Sequence, residues 1–198
     1  MALPIWRTGI LATTLWAVPS LAQDVPRKRQ QPAPDFGAPG LTVRSGLSLY
    51  TGNLGAQTGL GTFFALQADA QVLKALGVEA GYEGSANGFA DIPNATLWRH
   101  NVSAVAKLGP TVRERWKPFL GAGVGVSFLD PTAEANRDGF DDTFIAEFPL
   151  TAGLEYRYNG VTAGARATFR VLTGGGWGPR HEDDGNLFNA GLSLGSRF

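Results

Sequence analysis

Cysteine is absent from the 198 residues, and methionine occurs once. No disulfide can staple this chain, and neither a thiolate metal site nor a cysteine nucleophile is available to it. An excess of charge of one sign is also missing, since 17 basic residues balance 17 acidic ones. That balance argues against nucleic-acid binding, which rests on a basic surplus. Histidine is scarce, with only His100 and His181. After the first two dozen residues no stretch approaches the ~20 continuous apolar residues of a membrane-spanning helix. Glycine, by contrast, is plentiful at 27, and aromatic residues make up 11% of the chain. Glycine-rich, aromatic-rich and free of cysteine is a composition that suits an exported all-β protein.

The first residues read as an export signal. Arg7 supplies a positive start, Gly9–Val18 an apolar run too short to span a bilayer, and Ser20-Leu21-Ala22 a small-residue cleavage site. Residues 1–22 are therefore expected to be a signal peptide. Residues 23–40 follow, with Pro26, Pro32, Pro34 and Pro39 around the basic trio Arg27-Lys28-Arg29. Few apolar residues and no period mark this stretch as a disordered or extended tether.

From Leu41 onward the pattern has a period of two. It is clearest at the end, Leu187–Phe198. Phe188, Ala190, Leu192, Leu194 and Phe198 share one face with Ser196, and Asn189, Gly191, Ser193, Gly195 and Arg197 share the other. A period of two is a β-strand. Seven earlier segments behave alike, at about 41–51, 62–72, 75–84, 97–108, 117–129, 143–158 and 160–172. The polar rows hold Arg44, Arg99, Lys107, Arg157, Arg166, Arg170 and Arg197, and also Asp69, Glu79, Glu83, Glu147 and Glu155. Eight such segments with no helical period between them predict an all-β barrel.

The connections alternate in length. Those at 52–61, 85–96, 130–142 and 173–186 are long and polar. Those at 73–74 and 159–160 are tight, the latter an Asn-Gly hairpin signal, and 109–116 is intermediate. Long loops on one rim and short turns on the other is the outer-membrane barrel pattern. Alternation alone also fits a soluble lipocalin-like barrel with its apolar rows inside. Three features favour the rows pointing outward. Small residues such as Gly121, Gly123 and Gly125 interleave the polar rows, as a narrow interior requires. The polar rows carry both signs of charge, so they can neutralise one another when enclosed. Tyr82, Phe128, Tyr156, Tyr158 and Phe198 sit near segment ends on the apolar rows, where interfacial girdles form.

The leader, the eight amphipathic segments, the loop asymmetry and the terminal Phe198 resemble those of the small outer-membrane β-barrels of Gram-negative bacteria, the OmpA/OmpX-like group. The resemblance covers about 41–198. It implies an eight-stranded antiparallel up-and-down transmembrane β-barrel, a lumen mostly plugged by side chains, and no cofactor. It also implies that the barrel-assembly machinery reads the last strand. Phe198, Leu194 and Leu192 match that signal, and Ser196 departs from it.

Candidate chemistry is sparse. A lipid-modifying site on the outer wall would need a histidine beside a nucleophile. His100 falls on the apolar row of its segment and Ser103 on the opposite row, so they are not expected to meet. His181 sits among Glu182, Asp183 and Asp184 and is expected to face water. Asn136–Asp142 has part of a calcium-loop pattern without its twelfth-position glutamate, so a solvated acidic loop is expected. A cation held there would bridge the loop to lipopolysaccharide phosphates. Gly174-Gly175-Gly176 precedes Trp177-Gly178-Pro179 rather than a lysine and a helix start, so it is no phosphate loop. No catalytic, cofactor-binding or metal-binding set emerges. The expected protein is a non-enzymatic barrel that stiffens the outer membrane or presents loops. Its partners would be the lipid bilayer, lipopolysaccharide and the assembly machinery. A narrow channel and a soluble carrier of hydrophobic ligands are the alternatives.

Overall fold

A computed structural model describes residues 39–173 and 185–198. The expected signal peptide, nearly all of the tether, the Gly174–Gly176 run and His181 lie outside the described residues. The alternating segments form eight strands: β1 Pro39–Tyr50, β2 Gly61–Gln71, β3 Leu76–Gly88, β4 Thr96–Leu108, β5 Trp116–Pro131, β6 Thr143–Tyr158, β7 Val161–Thr173 and β8 Leu187–Arg197. Each pairs antiparallel with its sequence neighbour, and β1 pairs with β8 to close the barrel. The closing ladder runs from Gly40 opposite Arg197 to Tyr50 opposite Leu187. Among the described residues every strand has a partner on both sides, which a barrel in hydrocarbon requires because lipid offers no hydrogen bonds.

Several boundaries extend beyond the sequence expectation. β1 starts at Pro39, inside the expected tether, where the Pro39 carbonyl accepts the Phe198 N–H at 3.2 Å. β3 continues to Gly88 and β5 to Pro131, because these strands pair on past the membrane belt with β4. The first and third long connections contain short helices, α1 Gly52–Gln57 and α2 Ala133–Arg137. The Asn159-Gly160 turn has both residues in the left-handed region, at φ 47° and 79°. That conformation matches the right-handed twist of the flanking strands.

Burial is inverted relative to a protein in water. Leu120 is 69% exposed, Leu192 70% and Leu150 52%, whereas Arg99 is 0% exposed and Glu147 1%. The apolar rows point outward on all eight strands, with Phe64, Val78, Val102, Val124, Phe148, Phe169 and Leu194 among them. Apolar patches on water-soluble proteins rarely exceed a few hundred Å². A belt that encircles a whole barrel is stable against lipid and not against water. The apolar-outward orientation read from the rows is the one the structure has, and it excludes the lipocalin-like arrangement with grease at the centre.

The belt sets a stability prediction. Val124 lies midway along the outward row of β5, opposite Ala104. Val124→Arg should cost about 2–4 kcal/mol, the penalty for a guanidinium at the bilayer midplane. Denaturant titration of the refolded barrel in lipid vesicles measures it, and Trp116→Arg at the rim should cost about 1 kcal/mol or less.

Candidate functional site

The lumen holds the molecule's concentrated chemistry. In its loop-side half two carboxylates act as hubs. Glu83 on β3 accepts from Arg44 at 2.6 Å, Arg99 and Arg170 at 3.0 Å, and Asn189 at 2.6 Å. Glu147 on β6 accepts two N–H bonds from Arg99, at 2.7 and 2.6 Å. It also accepts from Ser127 at 2.5 Å, Asn101 at 3.1 Å and Arg170 at 3.2 Å. The paired bonds from one guanidinium fix the carboxylate plane as well as its charge.

A second tier lies toward the short turns. Glu79 accepts from both terminal nitrogens of Arg166, from Lys107 at 2.9 Å and from Gln67 at 3.2 Å. Lys107 also reaches Glu155 at 2.9 Å, and Glu155 accepts from Arg157 at 2.9 Å. Below them Arg197 pairs with Asp69, and Lys117 donates to the Gln71 side-chain oxygen. Every charged residue expected on the polar rows therefore lines the lumen, and the structure brings the two signs together.

The lumen also contains apolar residues that the charge pattern did not reveal. Phe63 and Phe119 are each 5% exposed and point inward. The charged groups of Lys107 and Arg166 both lie near the Phe119 ring, 5.2 and 5.0 Å from its centre. Arg44 sits 5.4 Å from the Phe63 ring. The rings' negative faces add attraction for the cations beside them. Gly153 makes room for one ring, because a Cβ there would come within 2.6 Å of Phe119. The expectation of a polar plug is thus refined: the plug consists of ion pairs with aromatic rings packed beside them.

The long-loop end departs further from expectation. Its connections read as polar, yet they build an apolar cap. Tyr50, Leu97, Leu129, Ile145 and Leu187 turn inward at the strand ends, and Leu54, Phe89, Ala95, Ala135 and Phe140 close over them. The Phe89 and Phe140 rings are 4.8 Å apart. Phe140 belongs to the stretch expected to be a solvated acidic loop. Asp138, Asp141 and Asp142 are exposed there as expected, but Phe140 is 3% exposed and anchors the loop. A signal for the cap exists in the sequence. At the loop-side end of β1, β4, β5, β6 and β8 the polar row itself ends on Tyr50, Leu97, Leu129, Ile145 and Leu187.

His100 and Ser103 sit on opposite faces of β4, His100 exposed on the outer wall and Ser103 toward the lumen. His100 Nδ1 instead shares a 2.7 Å hydrogen bond with the Tyr82 hydroxyl. Among the described residues, no group of three or more His, Cys, Asp or Glu side chains is arranged to hold a metal ion. A shallow concavity on the outer wall is lined by Ala152, Ala165, Ala167 and Ala190 and opens toward lipid.

Inverted burial, strand closure and an ionic interior define a membrane-spanning β-barrel. No protein-family model matches the chain, and no curated protein matches it. Solved structures do. Neisserial surface protein A aligns at 15% identity with a TM-score of 0.63, covering 82% of this chain and 99% of that one. Ail, the attachment invasion locus protein of Yersinia pestis, aligns at 15% identity with a TM-score of 0.52, covering 82% and 99%. At that identity the likeness is one of fold, and the fold is that of the small eight-stranded outer-membrane barrels.

Glu147→Ala would leave Arg99 and Arg170 buried without one of their counter-charges. The loss should be about 3–5 kcal/mol, as when one member of a buried ion pair is removed. Glu134→Ala on the exposed face of α2 should change stability by no more than about 0.5 kcal/mol. Denaturant unfolding in vesicles compares the two.

Proposed function

We propose that the chain is an integral protein of a Gram-negative outer membrane, without enzymatic activity, that holds its lumen shut and displays its long connections outside. The observation that carries this reading is closure at two depths. Paired charges fill the lumen, and an apolar cap of Leu54, Phe89 and Phe140 covers its loop-side mouth. Ions crossing the barrel would have to displace both. The long connections carry exposed Asp91, Glu134, Asp138, Asp141 and Asp142, a polar surface suited to water beyond the membrane.

In this reading the chain is exported through a cleaved leader at residues 1–22. Both barrel ends, Pro39 and Phe198, lie at the short-turn rim. A tether entering from the periplasm would reach β1 there. In this reading lipid tails surround the belt, lipopolysaccharide meets the loop-side girdle, and the assembly machinery reads β8 through Leu192, Leu194 and Phe198. The non-enzymatic part of the reading is supported by His100, which meets a tyrosine and not a nucleophile.

Extraction and conductance test the proposal together. The native protein should require detergent for release and should migrate faster on gels before boiling than after. In a planar bilayer it should give no stepwise conductance. Regular current steps would favour the narrow channel, and release without detergent would favour a soluble carrier.

A further inference from the structure

The short-turn rim carries a cluster that the barrel's closure does not require. The turn joining β4 to β5 holds Arg113 and Glu114 in the left-handed region, at φ 50° and 61°. Two consecutive left-handed residues form the tight hairpin that Asn-Gly usually makes, and side chains with a Cβ pay for it in steric strain. The strain is held by hydrogen bonds. Val112 N–H donates to the Trp116 carbonyl at 2.7 Å, Trp116 N–H returns to Val112 at 2.9 Å, and Arg157 N–H donates to the Arg115 carbonyl at 2.8 Å. The turn thereby presents two exposed guanidiniums, Arg113 and Arg115, at the short-turn rim.

Aromatic residues receive Arg115. Arg115 lies 5.1 Å from the centre of the Tyr158 ring, and its Nη1 donates to the Tyr156 hydroxyl at 3.4 Å. Tyr156 in turn packs on Trp116, ring centres 4.8 Å apart. Trp116 and Tyr158 are 43% and 51% exposed on the outward rows. On the loop-side rim Phe128 and Phe144 also pair, but among the described residues no cation lies over either ring. The rims differ in charge as well. Among the described residues, exposed Lys74, Arg113 and Arg115 face one Glu114 on the turn side, whereas Asp91, Glu134, Asp138, Asp141 and Asp142 face one Arg137 on the loop side.

We infer that Arg113, Arg115, Trp116, Tyr156 and Tyr158 form a docking site for the phosphate of an anionic phospholipid headgroup in the leaflet beside the short turns. The inference rests on the membrane-spanning reading. Tryptophan and tyrosine place the cluster at headgroup depth. A guanidinium matches the oxygens of a phosphate through parallel N–H bonds. The Tyr158 face holds Arg115 in place before the lipid arrives, so less side-chain freedom is lost on binding. Two cations against one carboxylate leave a local positive charge for an anionic lipid to neutralise.

Quenching of Trp116 fluorescence by brominated lipids tests this. The protein carries Trp116 as its sole tryptophan, the others being replaced by phenylalanine, and is placed in bilayers of phosphatidylcholine and phosphatidylglycerol with one or the other brominated. Phosphatidylglycerol should bind beside Trp116 at least about fivefold more strongly than phosphatidylcholine, the factor expected for one basic residue at an anionic surface. Arg113→Gln with Arg115→Gln should bring that ratio close to one. Arg113→Gln alone, which leaves the Arg115–Tyr158 contact, should give an intermediate ratio and carries the test if the double variant does not fold. A counterpart with Trp98 as sole tryptophan should show a ratio near one. Equal quenching by both lipids at Trp116, or a preference that survives the double substitution, would overturn the site. So would loss of the preference on adding inorganic phosphate at matched ionic strength, which would reassign the cluster to free phosphate. Absence of quenching by either lipid would instead refute the membrane-spanning reading beneath it.

Discussion

Two enclosed carboxylates, Glu83 and Glu147, tie this barrel together. A carboxylate removed from water is tolerable only with counter-charges and hydrogen bonds around it. Glu83 obtains its donors from β1, β4, β7 and β8, and Glu147 from β4, β5 and β7. β2 joins through Gln67, which bonds Glu79 in the tier below. Glu147 is therefore satisfied once β4 to β7 have assembled, and Glu83 only when β1 and β8 have joined them. In a partly assembled barrel the same groups would face lipid or a half-open interior. The ion pairs need not add much net stability to the finished barrel. They set a heavy penalty on every arrangement in which the strands are misregistered or unpaired.

The two closures use different physics because they meet different surroundings. Within the membrane span the lumen is narrow, and charges of both signs fit together as interdigitating pairs with Phe63 and Phe119 beside them. At the loop end the strands pass beyond the lipid and the connections must fold over an opening bounded by water. There Leu97, Leu129, Ile145 and Leu187 offer an apolar floor, and Leu54, Phe89 and Phe140 cover it as in an ordinary soluble core. The hydrophobic effect operates where water is present to drive it. The barrel thus has an apolar outside in lipid and a small apolar inside in water, each suited to its solvent.

Much of this was legible in the chain. Because side chains alternate across a strand, the rows of Leu192, Leu194 and Phe188 against Asn189, Gly191 and Arg197 already separate the outer wall from the lumen. The lengths of the connections indicate which rim carries loops. The charged lining was readable residue by residue, since period two leaves no freedom about facing once orientation is chosen. The covering half of the cap was not legible, because Leu54, Phe89, Ala95, Ala135 and Phe140 are scattered singly through polar connections. Phe140 stands among aspartates, and an isolated aromatic in a loop has no period to betray it. Phe63 and Phe119 were missed for a related reason. Both stand next to outward apolar residues, Phe64 and Leu120, and are absorbed into an apparent apolar run. The Arg113-Glu114 turn has neither glycine nor asparagine, so its left-handed backbone had no sequence mark.

The order of residues along the chain determined the strands, their faces and the sign of each row, because those follow from local geometry with a fixed period. Which charges meet was decided only by closure of the ring. Asn189 and Glu83 are 106 positions apart, and Arg170 and Glu83 are 87 apart. Such partners depend on register, tilt and strand order, which no local pattern encodes. The cap and the arginine–aromatic cluster at the turns arise in the same way, from side chains that become neighbours when antiparallel strands bring their ends to a common rim.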